Sequence, residues 1–176
     1  MKVNLLKKEL VVGTIFLLLL ATMPHIVSND LPSATAYTDD LVVTVTTDKE
    51  IYYPGEPVII TISVTNYGPN MTLVFSDTQL ANFKVTKPYG RHVFRWAWHC
   101  MFAQVITNVP IKQGETKVLL KWTWHKLRDF YPFFPLPHIP ILPGKYYING
   151  WMVRGFSHPK INGEPVEVTL RWFTFA

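Results

Sequence analysis

Cysteine is almost absent: Cys100 is the only one among 176 residues. One thiol closes no disulfide within the chain and builds no multi-cysteine zinc or iron–sulfur site. Charge is sparse as well, at 16% against 48% apolar residues, which excludes a disordered chain. The net charge of +5 is scattered, with no run of five basic residues. Nucleic-acid binding therefore has no electrostatic footprint. Serine occurs only five times, two of them (Ser28 and Ser33) near the N-terminus, and no Gly-x-Ser-x-Gly elbow is present. Glycines number 9 against 14 prolines, and aromatics make up 14%. That mix suits strands and stiff connections better than helices. The length fits one domain with a little to spare, large enough to bury a core without metals or disulfides.

The N-terminal segment reads as an export signal. Lys2, Lys7 and Lys8 precede an apolar run of 14 residues from Leu10 to Met23, and Pro24 ends it. This is signal-peptide length and shorter than the about 20 residues a bilayer span needs. Cleavage is expected after Ser28 or after Ala36; the alternatives are an uncleaved anchor from Leu10 to Val27 and a buried N-terminal helix. The expected division is a signal or anchor helix with linker over residues 1–36 and one domain over 37–176. The expected location is accordingly extracellular or at the cell surface, with membrane contact only through the N-terminal segment. Asn70-Met71-Thr72 is a glycosylation sequon, with Asn70 as acceptor if the chain is exported.

From residue 40 onward, period-two alternation dominates. Leu41, Val43 and Val45 share a face, as do Val58, Ile60, Ile62 and Val64. Tyr53-Pro54-Gly55-Glu56, Lys87-Pro88-Tyr89-Gly90 and Gln113-Gly114-Glu115 read as turns. Phe94, Trp96 and Trp98 are expected on one face, and so are Val118, Leu120, Trp122 and Trp124. Further strands are expected at 72–75, 82–86, 103–111, 146–153 and 166–173. Eight or nine strands without a convincing helix predict an all-β fold, an antiparallel β-sandwich with two sheets burying alternate side chains.

One segment breaks the pattern. Residues 126–144 carry prolines at 132, 135, 137, 140 and 143, which forbid a continuous helix or a central strand. The same segment carries Phe130, Tyr131, Phe133, Phe134, Leu136, His138 and Ile139. A loop this apolar either packs on the sandwich or offers a binding surface.

The stretch from Val58 to Tyr147 resembles the BsuPI-type domain family, named for a bacterial intracellular proteinase inhibitor. The elements that carry the likeness are Asn66, Phe75-Ser76, Gln79, Phe83-Lys84-Val85, Gly90, Val93-Phe94-Arg95-Trp96, Phe102-Ala103-Gln104, Gly114-Glu115, Trp122 and Pro143-Gly144-Lys145-Tyr146. The resemblance implies an immunoglobulin-like β-sandwich. The chain departs from the family at Ala97, where a serine is common, and in the longer segment at 126–142. The shared residues look like determinants of the fold, so no inhibitory residue is carried over.

Other chemistry is weaker on inspection. His92, His99, Cys100, Met101 and His125 are soft ligands, but the Cys-then-His-then-Met order of a copper loop is missing. Ser157-His158 and the aspartates at 39, 40, 77 and 129 form no recognisable catalytic pattern. The paired tryptophans at 96/98 and 122/124 mostly read as core, with Trp98 and Trp124 able to reach the surface at strand ends. The expectation is a non-catalytic domain without cofactor or metal that binds a protein. Its candidate contact loop is Phe130, Tyr131, Phe133, Phe134, Leu136, His138 and Ile139, and the resemblance implies a proteinase as partner. The alternative is an extracellular carbohydrate-binding or cell-surface structural module.

Overall fold

The computed structural model describes residues 33–38, 40–128 and 139–171, with backbone alone at 33–38, 127–128 and 139–140. The chain divides after Asp30, and the described residues belong to the second unit, Leu31–Ala176. The expected signal or anchor over residues 10–27 lies outside them. Among the described residues no helix is long and apolar enough to cross a membrane.

The strands in chain order are β1 (Ser33–Thr38), β2 (Leu41–Thr47), β3 (Ile51–Tyr52), β4 (Val58–Asn66), β5 (Met71–Phe75), β6 (Ala81–Thr86) and β7 (His92–Arg95). Then follow β8 (Thr107–Ile111), β9 (Thr116–Trp124), β10 (Leu127–Arg128), β11 (Ile139–Pro140), β12 (Gly144–Met152), β13 (Ile161–Asn162) and β14 (Val166–Leu170). One sheet has the order β1-β2-β4-β9; a second runs β3-β14-β12-β6-β7, with β13 also on β12. Two ribbons, β5-β8 and β10-β11, complete the fold. The expected boundary at residue 36 falls inside β1, whose Ala36 pairs with Val43.

The result is all-β and sandwich-like. Alternation is strict along β4, where Val58, Ile60, Ile62 and Val64 are fully buried and the residues between them partly exposed. They meet Phe83 and Val85 of β6, Tyr146 and Ile148 of β12 and Val168 of β14 in one core. Each such side chain contributes about 1.5–3 kcal/mol on burial. The sheets touch at Gly150 of β12. A Cβ there would sit 2.7 Å from Val45 of β2 and 3.0 Å from Ile62 of β4, so a side chain has no room. The turn at 53–56 forms as expected: Glu56 N donates to Tyr53 O at 3.2 Å, and Gly55 takes φ +83°.

Two β-bulges overturn parts of the alternation. Ile62 pairs with Leu120 but Ser63 with Val118, leaving Leu119 extra on β9. One inserted residue reverses every face beyond it. Val118 is thus turned outward, 61% exposed, while Leu120 and Trp124 stay in the core. Trp122 sits at the rim, edge-on to Trp96 with 6.0 Å between ring centroids. In β7, Val85 pairs with Phe94 but Thr86 with His92, so Val93 is extra and both Val93 and Phe94 are buried. The strand then stops at Arg95, and Trp96–His99 form a 3-10 turn. The expected common face of Phe94, Trp96 and Trp98 breaks there: Trp96 is buried and Trp98 is 48% exposed.

Candidate functional site

A short antiparallel stem brackets residues 129–138, which lie outside the described residues. Leu127 pairs with Pro140 and Arg128 with Ile139, antiparallel. Below this pair, Ile141 N donates to Lys126 O at 3.0 Å. Lys126 itself takes φ +58°, and its Nζ donates to the carbonyl of Tyr53 in the turn before β4. Burial lowers its pKa, a shift that nearby Glu56 opposes. The chain therefore exits and returns at one point, anchored to a second turn. Of the candidate contact residues, Ile139 has its backbone placed in β11. Phe130, Tyr131, Phe133, Phe134, Leu136 and His138 lie outside the described residues.

Ser157 and His158, weighed for catalysis, have other work, and Asp39 and Asp129 lie outside the described residues. Val74 N donates to Ser157 Oγ, which in turn donates to Thr72 O, both at 3.0 Å. Phe156 N adds a bond to Val74 O at 2.7 Å, so residues 156–157 extend the β5 edge. The Ser157 proton is committed to a carbonyl and is not shared with His158. His158 is buried edge-on against Phe75, with ring centroids 4.8 Å apart. Its Nδ1 bonds Pro159 O at 3.0 Å, and its Nε2 has no hydrogen-bond partner. Gly155 covers it so closely that a Cβ there would lie 2.6 Å from Nε2.

Burial lowers the pKa of His158 below its ordinary 6.5, opposed by the Pro159 carbonyl. The unfolded chain then takes up the proton first as pH falls, so stability is full above 6.5 and declines below it toward the folded value. Urea unfolding of the wild type is expected to lose stability between about pH 7 and pH 5 from this source. His158→Gln is expected to flatten that loss. An equal slope in the variant assigns the acid sensitivity elsewhere.

The soft-ligand residues do not converge. Among the described residues no group of three His, Cys, Asp or Glu side chains is placed to hold a metal. His99 stacks on Phe94 at 4.9 Å and 4°, and His92 lies 4.9 Å from the Trp98 ring. Cys100 is partly buried, which raises its thiol pKa. Of the tryptophans expected at the surface, Trp98 is there and Trp124 is not. The Oδ1 of Asn70, the sequon residue, accepts from Gln113 N at 2.9 Å.

One constellation escaped the sequence. On the outer face of the larger sheet, Lys84 of β6 lies directly opposite Arg95 of β7 and, on its other side, Asn149 of β12. The Arg95 guanidinium sits 5.7 Å from the ring centroids of both Trp98 and Trp151. Lys160 places its Nζ 4.7 Å over the Trp151 ring. Lys84, Arg95, Asn149, Trp151, Lys160 and Asn162 line a groove of ≈ 420 Å³. Alternation alone puts Lys84, Asn149 and Trp151 outward, but nothing local announces that they meet.

The described residues form an all-β frame in which a short antiparallel stem brackets residues 129–138. The sequence model of BsuPI, the intracellular proteinase inhibitor, matches residues 45–155, and the chain belongs to that family. A proteinase inhibitor family implies a non-catalytic chain with a protease as partner. The expected extracellular or cell-surface location is corrected by the same finding: the family is described as intracellular, which points to the cytoplasm. No curated protein matches the chain.

Solved structures similar to the chain include two β-glucosidases. That of Erythrobacter marinus aligns at a TM-score of 0.41 and 12% identity, covering 79% of this chain and 16% of that one. That of Listeria innocua, in complex with isofagomine, aligns at 0.41 and 11%, covering 76% of this chain and 17% of that one. The chain thus spans about a sixth of the length of these enzymes.

The family residues behave as fold determinants. Asn66 is fully buried, its Nδ2 donating to Pro69 O at 2.8 Å and its Oδ1 accepting from Gly68 N at 3.0 Å. Its backbone joins the turn at 112–115 through Glu115 O at 3.0 Å. Glu115 closes that turn by accepting from Lys112 N at 2.7 Å, which holds its carboxyl below the usual range.

Proposed function

We propose that the chain is a non-catalytic protein-binding domain that inhibits a proteinase, on an immunoglobulin-like frame. Family membership over residues 45–155 carries this, because that span includes the stemmed insertion. Phe130, Tyr131, Phe133, Phe134, Leu136, His138 and Ile139 are the proposed contact surface. Aromatic residues dominate binding hot spots, and prolines reduce the entropy lost on docking.

The test is inhibition by the full chain across a panel of serine, cysteine and metalloproteinases. Residues 129–138 are then replaced by a Gly-Ser linker of equal length. The replacement is expected to raise the inhibition constant at least about tenfold, since several hot-spot side chains are lost. The melting temperature is expected to stay within about 3 °C, because the stem is retained. Inhibition that survives the replacement puts the contact elsewhere on the frame. A large loss of melting temperature makes the insertion a cap on the core.

A further inference from the structure

We infer that the tip of the β6–β7 hairpin, with Tyr89 at its apex, is a second contact with the partner proteinase and docks on an acidic surface of it.

Lys87, Pro88, Tyr89 and Gly90 form the turn between β6 and β7, closed by Gly90 N donating to Lys87 O at 3.2 Å. Its third residue, Tyr89, takes φ +64°. A positive φ at that place suits glycine or asparagine, and a bulky side chain there is strained. Among the described residues, Tyr89 and Lys126 are the non-glycines with a positive φ. Lys126 offsets its strain with a contact, since its Nζ donates to the Tyr53 carbonyl. Tyr89 does not: its side chain is fully exposed, so no packing offsets the strain. A local rule broken without compensation inside the fold marks a functional position.

The tip is stiff where it is presented. Pro88 fixes its own φ, and Lys87 N donates to Arg91 O at 2.8 Å across the base of the turn. A preset loop loses little entropy on docking, and tyrosine is among the residues that dominate binding hot spots. Charge specifies the surface that the tip meets. Lys87 and Arg91 flank Tyr89, and no Asp or Glu occurs between Asp77 and Glu115. Glu167, two strands away in register with Thr86, is engaged by Lys145 at 2.7 Å and by the Tyr147 hydroxyl at 2.8 Å. The hairpin tip therefore presents an aromatic ring between two cations, which complements an acidic surface.

This inference rests on the inhibitor function, and the experiment separates the two. The full chain and its variants are titrated against each proteinase of the panel that the wild type inhibits, and each protein is melted. Tyr89→Asn is expected to raise the melting temperature by about 2–4 °C, because asparagine accepts the left-handed conformation. The same variant is expected to raise the inhibition constant at least about tenfold. Tyr89→Phe keeps the ring and the strain, so it is expected to lose less than about threefold in inhibition and to gain no melting temperature. Arg91→Glu is expected to slow association about tenfold at low salt, with the difference closing at high salt. Inhibition that Tyr89→Asn leaves intact overturns this inference and spares the inhibitor function. A melting temperature that Tyr89→Asn does not raise overturns it too, and so does an association rate unmoved by Arg91→Glu. A wild type that inhibits no proteinase overturns both.

Discussion

Trp124→Ala is expected to destabilise the domain by about 3–5 kcal/mol, measured by urea unfolding. Trp124 ends β9, pairs with Val58 and is among the largest fully buried side chains. Its ring lies 5.8 Å from Phe94, which lies 5.8 Å from Phe83. Phe83 in turn stacks over Trp96 at 6.5 Å. This aromatic chain fastens the end of the smaller sheet to β6 and β7 of the larger one. Truncation leaves a cavity that two sheets cannot close without moving apart, so the cavity cost adds to the lost burial. A fall of roughly 10 °C in melting temperature follows for a domain of this size. Trp122→Ala is the control: it lies two residues away but at the rim, and should cost about 1 kcal/mol. Equal losses would mean that the rim and the core are not distinct.

Asp48→Ala is expected to cost about 2–4 kcal/mol, because it orphans two donors at once. The Asp48 Oδ1 accepts from the Tyr52 hydroxyl and from Ile59 N, both at 2.8 Å. Tyr52 is fully buried, and its oxygen also accepts from Lys49 N at 2.9 Å. Burial, seconded by Asp48, pushes the Tyr52 phenol well above its ordinary range. The carboxylate therefore ties the turn after β2 to β3 and to the start of β4. Asp48→Asn keeps one acceptor oxygen and should lose about half as much. Chemical denaturation of the three proteins decides it. A loss below about 1 kcal/mol in the alanine variant would show that the turn holds without the carboxylate.

The strands that could be read from the sequence are those whose alternation runs unbroken. In β4 nine residues alternate without interruption, and the proline–glycine turn before it formed as its chemistry dictates. Where a residue is inserted, alternation misleads. Leu119 and Val93 look like ordinary members of their strands, and only the partner strand reveals that they are extra. The Trp96–His99 turn was hidden for a related reason: tryptophan favours strands, and no glycine or proline marks the break. Lys126 likewise takes a left-handed backbone conformation without a glycine to announce it.

The basic groove was illegible because its parts lie far apart in the chain. Lys84 and Lys160 are brought together only by β12, which lies between β6 and β13. The family, by contrast, was legible, since its turn glycines and aromatic positions recur in order. The expected location followed the Lys-then-Leu pattern at the N-terminus, and the family's intracellular character overrode it.

The pairing of β3 with β14 has a consequence for biogenesis. Ile51 and Tyr52 run parallel to Thr169 and Leu170, and β14 sits between β3 and β12 inside the larger sheet. That sheet cannot be completed until residue 170 has cleared the ribosome. Until then β3 and β12 each wait with an unmatched flank, open to wrong partners. Nascent chains stalled before residue 166 should therefore stay protease-sensitive and lean on chaperones, however much of the smaller sheet has already formed.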